Sequence, residues 1–311
     1  MNLDLNTAIR RFLEHLEIEK NCSKLTIRNY EHYLYVLEVF FEAQGNNKPM
    51  VSDITPDIVR NFRLYLSRLP GTNGQMKIAT QGYYVIALRS FLKWLIRNDY
   101  EVMQPEKIEV PRNKDHSLKF LTSDQMKRLL NQPLLSTKVG LRDRAILELL
   151  FSTGLRVSEL VRLNREQINL KTREFGVIGK GGKARVVFIS TRAAVYMDRY
   201  LKSRTDHNEA LFIRYGGKQE VIVENDKMRL SARSIERMVK HYVRLAKLPV
   251  AATPHTIRHS MATDLLRAGA DIRSVQEILG HKNIATTQIY THVTDARLKE
   301  IHEKFHSGNK E

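Results

Sequence analysis

Apolar residues recur at three- and four-residue spacing through roughly the first hundred positions, which restricts that part of the chain to helices that each bury one stripe. Ile9, Phe12, Leu13 and Leu16 form the first stripe. Ile27, Tyr30, Leu34, Leu37 and Phe41 form a second, opening after the capping hydroxyl of Ser23. Thr55-Pro56-Asp57 combines a capping hydroxyl, a proline at the first helical position and an acid in the first turn, so a third helix starts there and runs to about residue 69. Pro70-Gly71-Thr72-Asn73-Gly74 reads as a loop. A fourth helix from about 80 to 97 is expected to bury Ile86, Leu88, Phe91, Leu92 and Leu95, with Trp94 as a core residue.

With 311 residues and 42% hydrophobic content, the chain has material for two domains. Pro105, Pro111 and the polar run 112–116 mark 104–119 as an extended linker between a helical domain at 1–103 and a second domain at 120–306, with a short tail at 307–311. The second domain opens on a capping box, Thr122 to Gln125, and its next helix, about 141–152, ends at Gly154. The period then changes. Residues 174–180 and 184–189, with Val186, Val187, Phe188 and Ile189, read as two strands joined at Gly181-Gly182. A helix at 191–203, short strands near 211–213 and 220–223, and a basic helix from about 231 follow. Thr253-Pro254 repeats the cap-then-proline signal for a helix whose buried face is Ile257, Met261, Leu265 and Leu266 and whose end is Gly269. The next helix, 271–279, stops at Gly280. Thr286 caps a short helix carrying Tyr290, and Leu298, Ile301 and Phe305 give a last apolar stripe. The expected fold class is mainly α with a small β-sheet, an α+β arrangement in the second domain.

A formal net charge of +17 implies a polyanionic partner, because such self-repulsion is relieved when phosphates neutralise it. Nucleic acid is favoured over a membrane surface. No 18-residue apolar run occurs, and the start Met1-Asn2-Leu3-Asp4 lacks a signal peptide's basic and apolar regions, so a cytoplasmic location is expected. Cys22 is the single cysteine, which rules out an intrachain disulfide and a cysteine-rich metal site. Residues 1–107 carry 14 Lys/Arg against 12 Asp/Glu, whereas 108–311 carry 37 against 22, so the charge sits in the second domain. Between Lys227 and Lys247, seven Lys/Arg stand against the single acid Glu236. A charge run is ordinarily a solvated helix face, and here the near absence of acids favours a DNA-facing one. Arg233, Arg237 and Lys240 are candidates for the major groove. Lys24, Thr26 and Arg28 at a helix start are candidate phosphate contacts and Lys183 a further candidate DNA-binding residue; each taken alone is equally an ordinary surface residue.

Two arginines, Arg156 in Thr153-Gly154-Leu155-Arg156 and Arg258 in His255-Thr256-Ile257-Arg258, suit a reaction at a phosphodiester. Guanidinium groups hold two nonbridging oxygens as negative charge builds on them. Tyr290 as nucleophile would have to lose its hydroxyl proton, and a neutral His255, on the same helical turn as Arg258, is a suitable acceptor. The departing 5′ oxygen needs a proton, for which Lys180 and Lys183 compete. Such a reaction conserves the bond energy in a phosphotyrosyl link and needs neither ATP nor metal, so no cofactor and no metal site are expected. Singly, each residue has a plainer role. Arg156 pairs with Glu159 on a helix surface, His281 caps a helix end, and Tyr290 is a core tyrosine. His255 and His259, four apart, suggest zinc, but position 256 is Thr rather than the Glu of a His-Glu-x-x-His site. The ordered set is what carries the chemistry.

In that order the residues make the chain resemble the tyrosine recombinases of the Xer type, and more broadly the phage integrase family, over nearly its whole length. The resemblance implies a two-domain C-shaped DNA clamp with a SAM-like four-helix N-terminal domain. It implies a catalytic set of Arg156, Lys180, His255, Arg258, His281 and the nucleophile Tyr290. Lys183 is the alternative to Lys180, since Gly-Lys-Gly-Gly-Lys admits another register, and Glu159 supports the site. The implied reaction is site-specific strand cleavage and rejoining through a 3′-phosphotyrosyl intermediate and a four-way junction. Its partner is double-stranded DNA, bound at two sites by a homotetramer or by a heterotetramer with a second recombinase; a DNA translocase enters by analogy. The length, with no extra arm-binding domain, favours chromosome or plasmid dimer resolution. Mobile-element integration, type IB topoisomerase-like relaxation and a DNA-binding protein on a retained fold are the alternatives. The last helix, with Leu298, Ile301 and Phe305, has room to dock on its own molecule or on a neighbour; inserted into an adjacent protomer, the tail would gate Tyr290.

Overall fold

The first apolar stripe becomes α1 (Leu5–Ile18), closed at its start by the Asp4 carboxylate, which accepts from the Thr7 N–H at 2.9 Å. α2 (Lys24–Ala43) begins after Ser23, α3 (Pro56–Arg68) after Thr55, and α4 (Ile78–Arg97) after Lys77. Their stripes meet in one core, where the Phe12 ring lies 5.5 Å from Phe91 and 5.7 Å from Trp94. This is the first of two units, Met1–His116 and Ser117–Glu311, of a computed structural model that describes residues 3–71, 74–111, 119–179, 182, 184–215 and 228–280.

In the first unit, three details differ from the sequence expectation. Ile86 is 43% exposed, because it lies two residues from Leu88 and hence about 200° around the helix from that stripe. Within the supposed loop at 70–74, β1 (Pro70–Gly71) pairs antiparallel with β2 (Gly74–Gln75). Part of the stretch read as linker packs instead: Pro105–Lys107 forms a 3-10 turn, and Ile108 is buried in the first unit's core.

In the second unit, Thr122 and Gln125 form the expected capping box at the head of α5 (Ser123–Leu130). α6 (Lys138–Thr153) is the central helix, buried from Arg142 through Leu150. Its charged residues are paired rather than excluded, as burial demands. Arg142 donates to Asp143 at 2.7 and 2.8 Å, and Asp143 accepts from the Tyr242 hydroxyl at 2.9 Å. Glu148 accepts from Arg144 at 3.0 Å and from Arg192 at 2.8 Å. These bonds tie α6 to α8 (Thr191–Lys202) and α9 (Ala232–Leu245).

Between them come α7 (Val157–Leu160) and the hairpin of β3 (Glu174–Ile178) and β4 (Ala184–Phe188), with Phe175 opposite Val187. The strand expected near 211–213 is not a strand. Arg204 Nη1 takes the Ala210 carbonyl at 2.6 Å and the Leu211 carbonyl at 2.9 Å, so a guanidinium replaces the neighbouring strand, and the backbone forms only isolated bridges such as Ile213 to Arg229. The strand expected at 220–223 and the helices expected beyond 280 lie outside the described residues. α10 (Pro254–Ala268) and α11 (Ile272–Leu279) complete the described unit, each ended by a left-handed glycine, Gly269 and Gly280.

Candidate functional site

The site begins where α6 stops. Gly154, at φ +60°, turns the chain sharply, and any Cβ there would meet Leu279 Cδ2 at 3.1 Å and Met261 Sδ at 3.2 Å. Leu155 is then buried, and Arg156 stands at the cap of α7, its side chain about one-third exposed. One turn later Glu159 reaches back. Its Oε2 accepts the Arg156 backbone N–H at 2.9 Å, and its Oε1 accepts from Arg156 Nη1 at 3.0 Å. Arg185 of β4 donates to the same two oxygens, at 3.0 Å to Oε1 and 2.8 Å to Oε2. Burial alone would raise the Glu159 pKa, but the donations and charges of Arg185 and Arg156 outweigh it and hold the carboxyl at about 2.

The second arginine comes from α10, whose start is fixed by Thr253 accepting from the Thr256 N–H and by Pro254 in the first turn. Arg258 is 2% exposed. Its Nη2 donates to the Leu279 carbonyl at 2.6 Å and its Nη1 to the Gly154 carbonyl. Both acceptors lie at helix C-termini, where aligned peptide dipoles favour a cation. Arg258 thus fastens the turn that presents Arg156 to the end of α11.

His255, three residues earlier, opens toward solvent. Surrounding atoms desolvate it, and Arg258 and Arg156 add positive charge, so its pKa falls below the ordinary imidazole value. His259 lies one turn on, with ring centroids 4.3 Å apart and planes at 78°. Burial, then His255 and Arg258, bring the His259 pKa down to about 4. Both imidazoles are therefore neutral near pH 7, the state in which His255 can accept a proton. Among the described residues, no third metal-ligating side chain joins the two histidines.

Arg156, His255 and Arg258 line a groove of about 1210 Å³ whose opposite wall is α9. That helix turns Ile235, Val239, Tyr242 and Val243 inward and Arg233, Arg237, Lys240 and Arg244 outward, all four exposed, and Lys247, two residues past its end, is exposed as well. Three proposed DNA contacts and three proposed catalytic residues thus share one groove. Arg229, counted with the basic run, has a different place: it donates to the Val161 and Leu163 carbonyls at 3.0 Å each and to Asn164 Oδ1 at 2.7 Å. Lys180, Lys183, His281 and Tyr290 lie outside the described residues. Lys24 and Arg28 are exposed at the start of α2 in the other unit, and Thr26 sits against the Ser23 hydroxyl at 2.9 Å.

Sequence reasoning missed Arg185 and the backbone acceptors of Arg258. A signal for the former exists. Arg185 sits two residues before the buried Val187, so strand alternation turns it to the inner face, where an arginine needs an acid.

Comparison with known proteins fits this geometry. The phage integrase family model matches residues 119–297, and the model of the phage integrase N-terminal SAM-like domain matches residues 9–99. The chain is 37% identical over 305 residues to the tyrosine recombinase XerC of Pelobacter propionicus, a match covering 97% of this chain and 96% of the relative. It is 34% identical over 311 residues to the tyrosine recombinase XerD of Listeria innocua, covering 97% and 99%. In fold it is similar to the Tn1549 transposon integrase solved with transposon right end DNA, with a TM-score of 0.74 at 18% identity over 96% of this chain and 99% of that one.

Proposed function

Because the chain belongs to the phage integrase family of tyrosine recombinases, we propose that the groove between α9 and the start of α10 receives a DNA duplex and that Tyr290 attacks a phosphodiester held there by Arg156 and Arg258. The observation that carries the reading is the sharing of one groove by Arg156, His255 and Arg258 with the basic face of α9. Helix α9 presents a row of cations of the kind that tracks a phosphate backbone, and an α-helix fits the major groove. The two guanidinium groups stabilise charge on the nonbridging oxygens as the tyrosine oxygen bonds to phosphorus and the 5′ oxygen leaves.

His255, held neutral, takes the proton from the Tyr290 hydroxyl. A hairpin lysine, Lys180 or Lys183, gives a proton to the departing 5′ oxygen, and His281 hydrogen-bonds the same phosphate. Reversal by the 5′ hydroxyl of a second strand restores the phosphodiester and releases the tyrosine, so bonds and charge balance without a cofactor. Glu159 does not touch the phosphate in this scheme; it orients Arg156 and neutralises Arg185.

The biological reading is resolution of chromosome or plasmid dimers in the cytoplasm by four protomers on two sites, either alone or with a second recombinase. Relatives named XerC and XerD support it. A supercoiled plasmid carrying two copies of a site selected by this protein tests it. Resolution into two circles is expected, whereas relaxation without exchange would place the chain with the type IB topoisomerases in activity.

A further inference from the structure

The outward face of α9 carries one acid. Glu236 is exposed on the groove, three residues after Arg233 and four before Lys240, so it shares their side of the helix. Neither helix capping, nor the helix dipole, nor an ion pair accounts for it. It lies past the first turn, where an acid would meet the helix dipole, and the N-terminus is already capped by Ser231 accepting from the Ser234 N–H at 3.1 Å. A glutamate four residues before a lysine has the favourable order for a helical ion pair, yet among the described residues the Glu236 side chain forms neither an ion pair nor a hydrogen bond.

On a wall that faces phosphates, an unpaired carboxylate is repelled by every backbone oxygen. The groups on a duplex that attract it are exocyclic amines, which donate into the major groove from cytosine N4 and adenine N6. Adenine also places an acceptor, N7, beside its amine, which a carboxylate opposes; cytosine does not. Resting on the reading of this groove as the DNA interface, we propose that Glu236 is a specificity-determining residue that accepts a hydrogen bond from the N4 amine of a cytosine in the major groove of the target half-site. Arg233, Arg237 and Lys240 supply affinity that is blind to sequence, and Glu236 withholds it from duplexes that lack an amine at that position.

Selection from a random duplex pool at fixed salt, run in parallel with wild type, Glu236→Ala and Glu236→Gln, tests the proposal. Wild type should select cytosine at one position of each half-site. Glu236→Ala should lose that preference while keeping the rest of the motif and binding non-specific duplex more tightly, and Glu236→Gln should turn the position toward adenine, whose N6 and N7 match a carboxamide. Replacing that cytosine by thymine should then weaken wild type about tenfold and leave Glu236→Ala unchanged. Equal melting midpoints for the three proteins establish that the exposed substitution leaves the fold intact. Identical base preferences in all three overturn the proposal, as does a wild type that binds duplex and selects a motif without cytosine. A wild type that binds no duplex overturns the DNA-interface reading itself.

Discussion

Arg185 donates both terminal nitrogens to the Glu159 carboxylate, at 3.0 and 2.8 Å, and so joins the β3–β4 hairpin to the turn that carries Arg156. The side chains are 11% and 6% exposed, which puts the pair under cover while Arg156 reaches out from it. A carboxylate shared by two guanidiniums fixes the position of the exposed one relative to the covered one. The hairpin that bears Lys180 and Lys183 in sequence is thereby coupled to Arg156, the arginine proposed to hold the phosphate.

Removing the carboxylate should cost more than a surface pair would. Glu159→Ala leaves Arg185 buried without its partner, and breaking a buried pair by deleting one member costs about 3–5 kcal/mol. Urea unfolding of the two proteins at pH 7 measures it. A loss within the surface-pair range, below about 1 kcal/mol, would show that the pair is solvated in solution.

The same carboxyl gives a pH signature. Its folded pKa of about 2 lies below the ordinary 4.5, so its contribution is complete above about 4.5 and disappears as pH falls toward 2. Wild type should lose stability over that interval relative to Glu159→Gln, with the two curves converging at its acid end.

The histidine pair works in a higher window. With the His259 pKa depressed from 6.5 to about 4, the unfolded chain binds its proton first, so stability is intact above 6.5 and falls as pH drops from 6.5 toward 4. His259→Phe should flatten that fall. For His255 the depressed pKa predicts an acid limb in the pH–rate profile of covalent DNA attachment that lies below 6.5.

Arg258 is predicted not to tolerate lysine. A lysine cannot present two parallel donors to carbonyls at the ends of α6 and α11, and each lost charge-assisted hydrogen bond costs about 1.5–3 kcal/mol. Arg258→Lys should lower the melting midpoint as well as abolish DNA cleavage. A fully stable, inactive variant would assign Arg258 to the phosphate alone.

On α9, Arg233→Ala, Arg237→Ala and Lys240→Ala should each reduce the slope of log affinity against log salt by about 0.9 if the residue holds one phosphate. Duplex binding measured at several salt concentrations reads the slope, and an unchanged slope assigns the residue to solvent.

What the sequence disclosed, and what it did not, divides by distance along the chain. Gly154, Thr253-Pro254 and Ser231 are local signals that place Arg156, His255 and the basic face of α9 at helix ends or on one stripe, and each holds in the structure. The Arg185 to Glu159 bond spans 26 positions and depends on hairpin register, which periodicity does not specify. The partners of Arg258 are backbone carbonyls and carry no side-chain signature. The strand expected at 211–213 failed for a similar reason: Arg204, from a neighbouring turn, occupies the carbonyls a second strand would use. Ile86 is apolar but falls about 200° around α4 from Leu88, off the buried stripe, an angle that apolar content alone does not specify.

Tyrosine attack on a phosphodiester in this groove leaves protein covalently joined to DNA. It is tested most directly with a nicked suicide duplex bearing a site selected by the protein, incubated in EDTA with wild type or Tyr290→Phe and then denatured. Wild type should yield protein covalently joined to a 3′ phosphate, and Tyr290→Phe none. Equal adduct from both proteins, or adduct that EDTA abolishes, would contradict it.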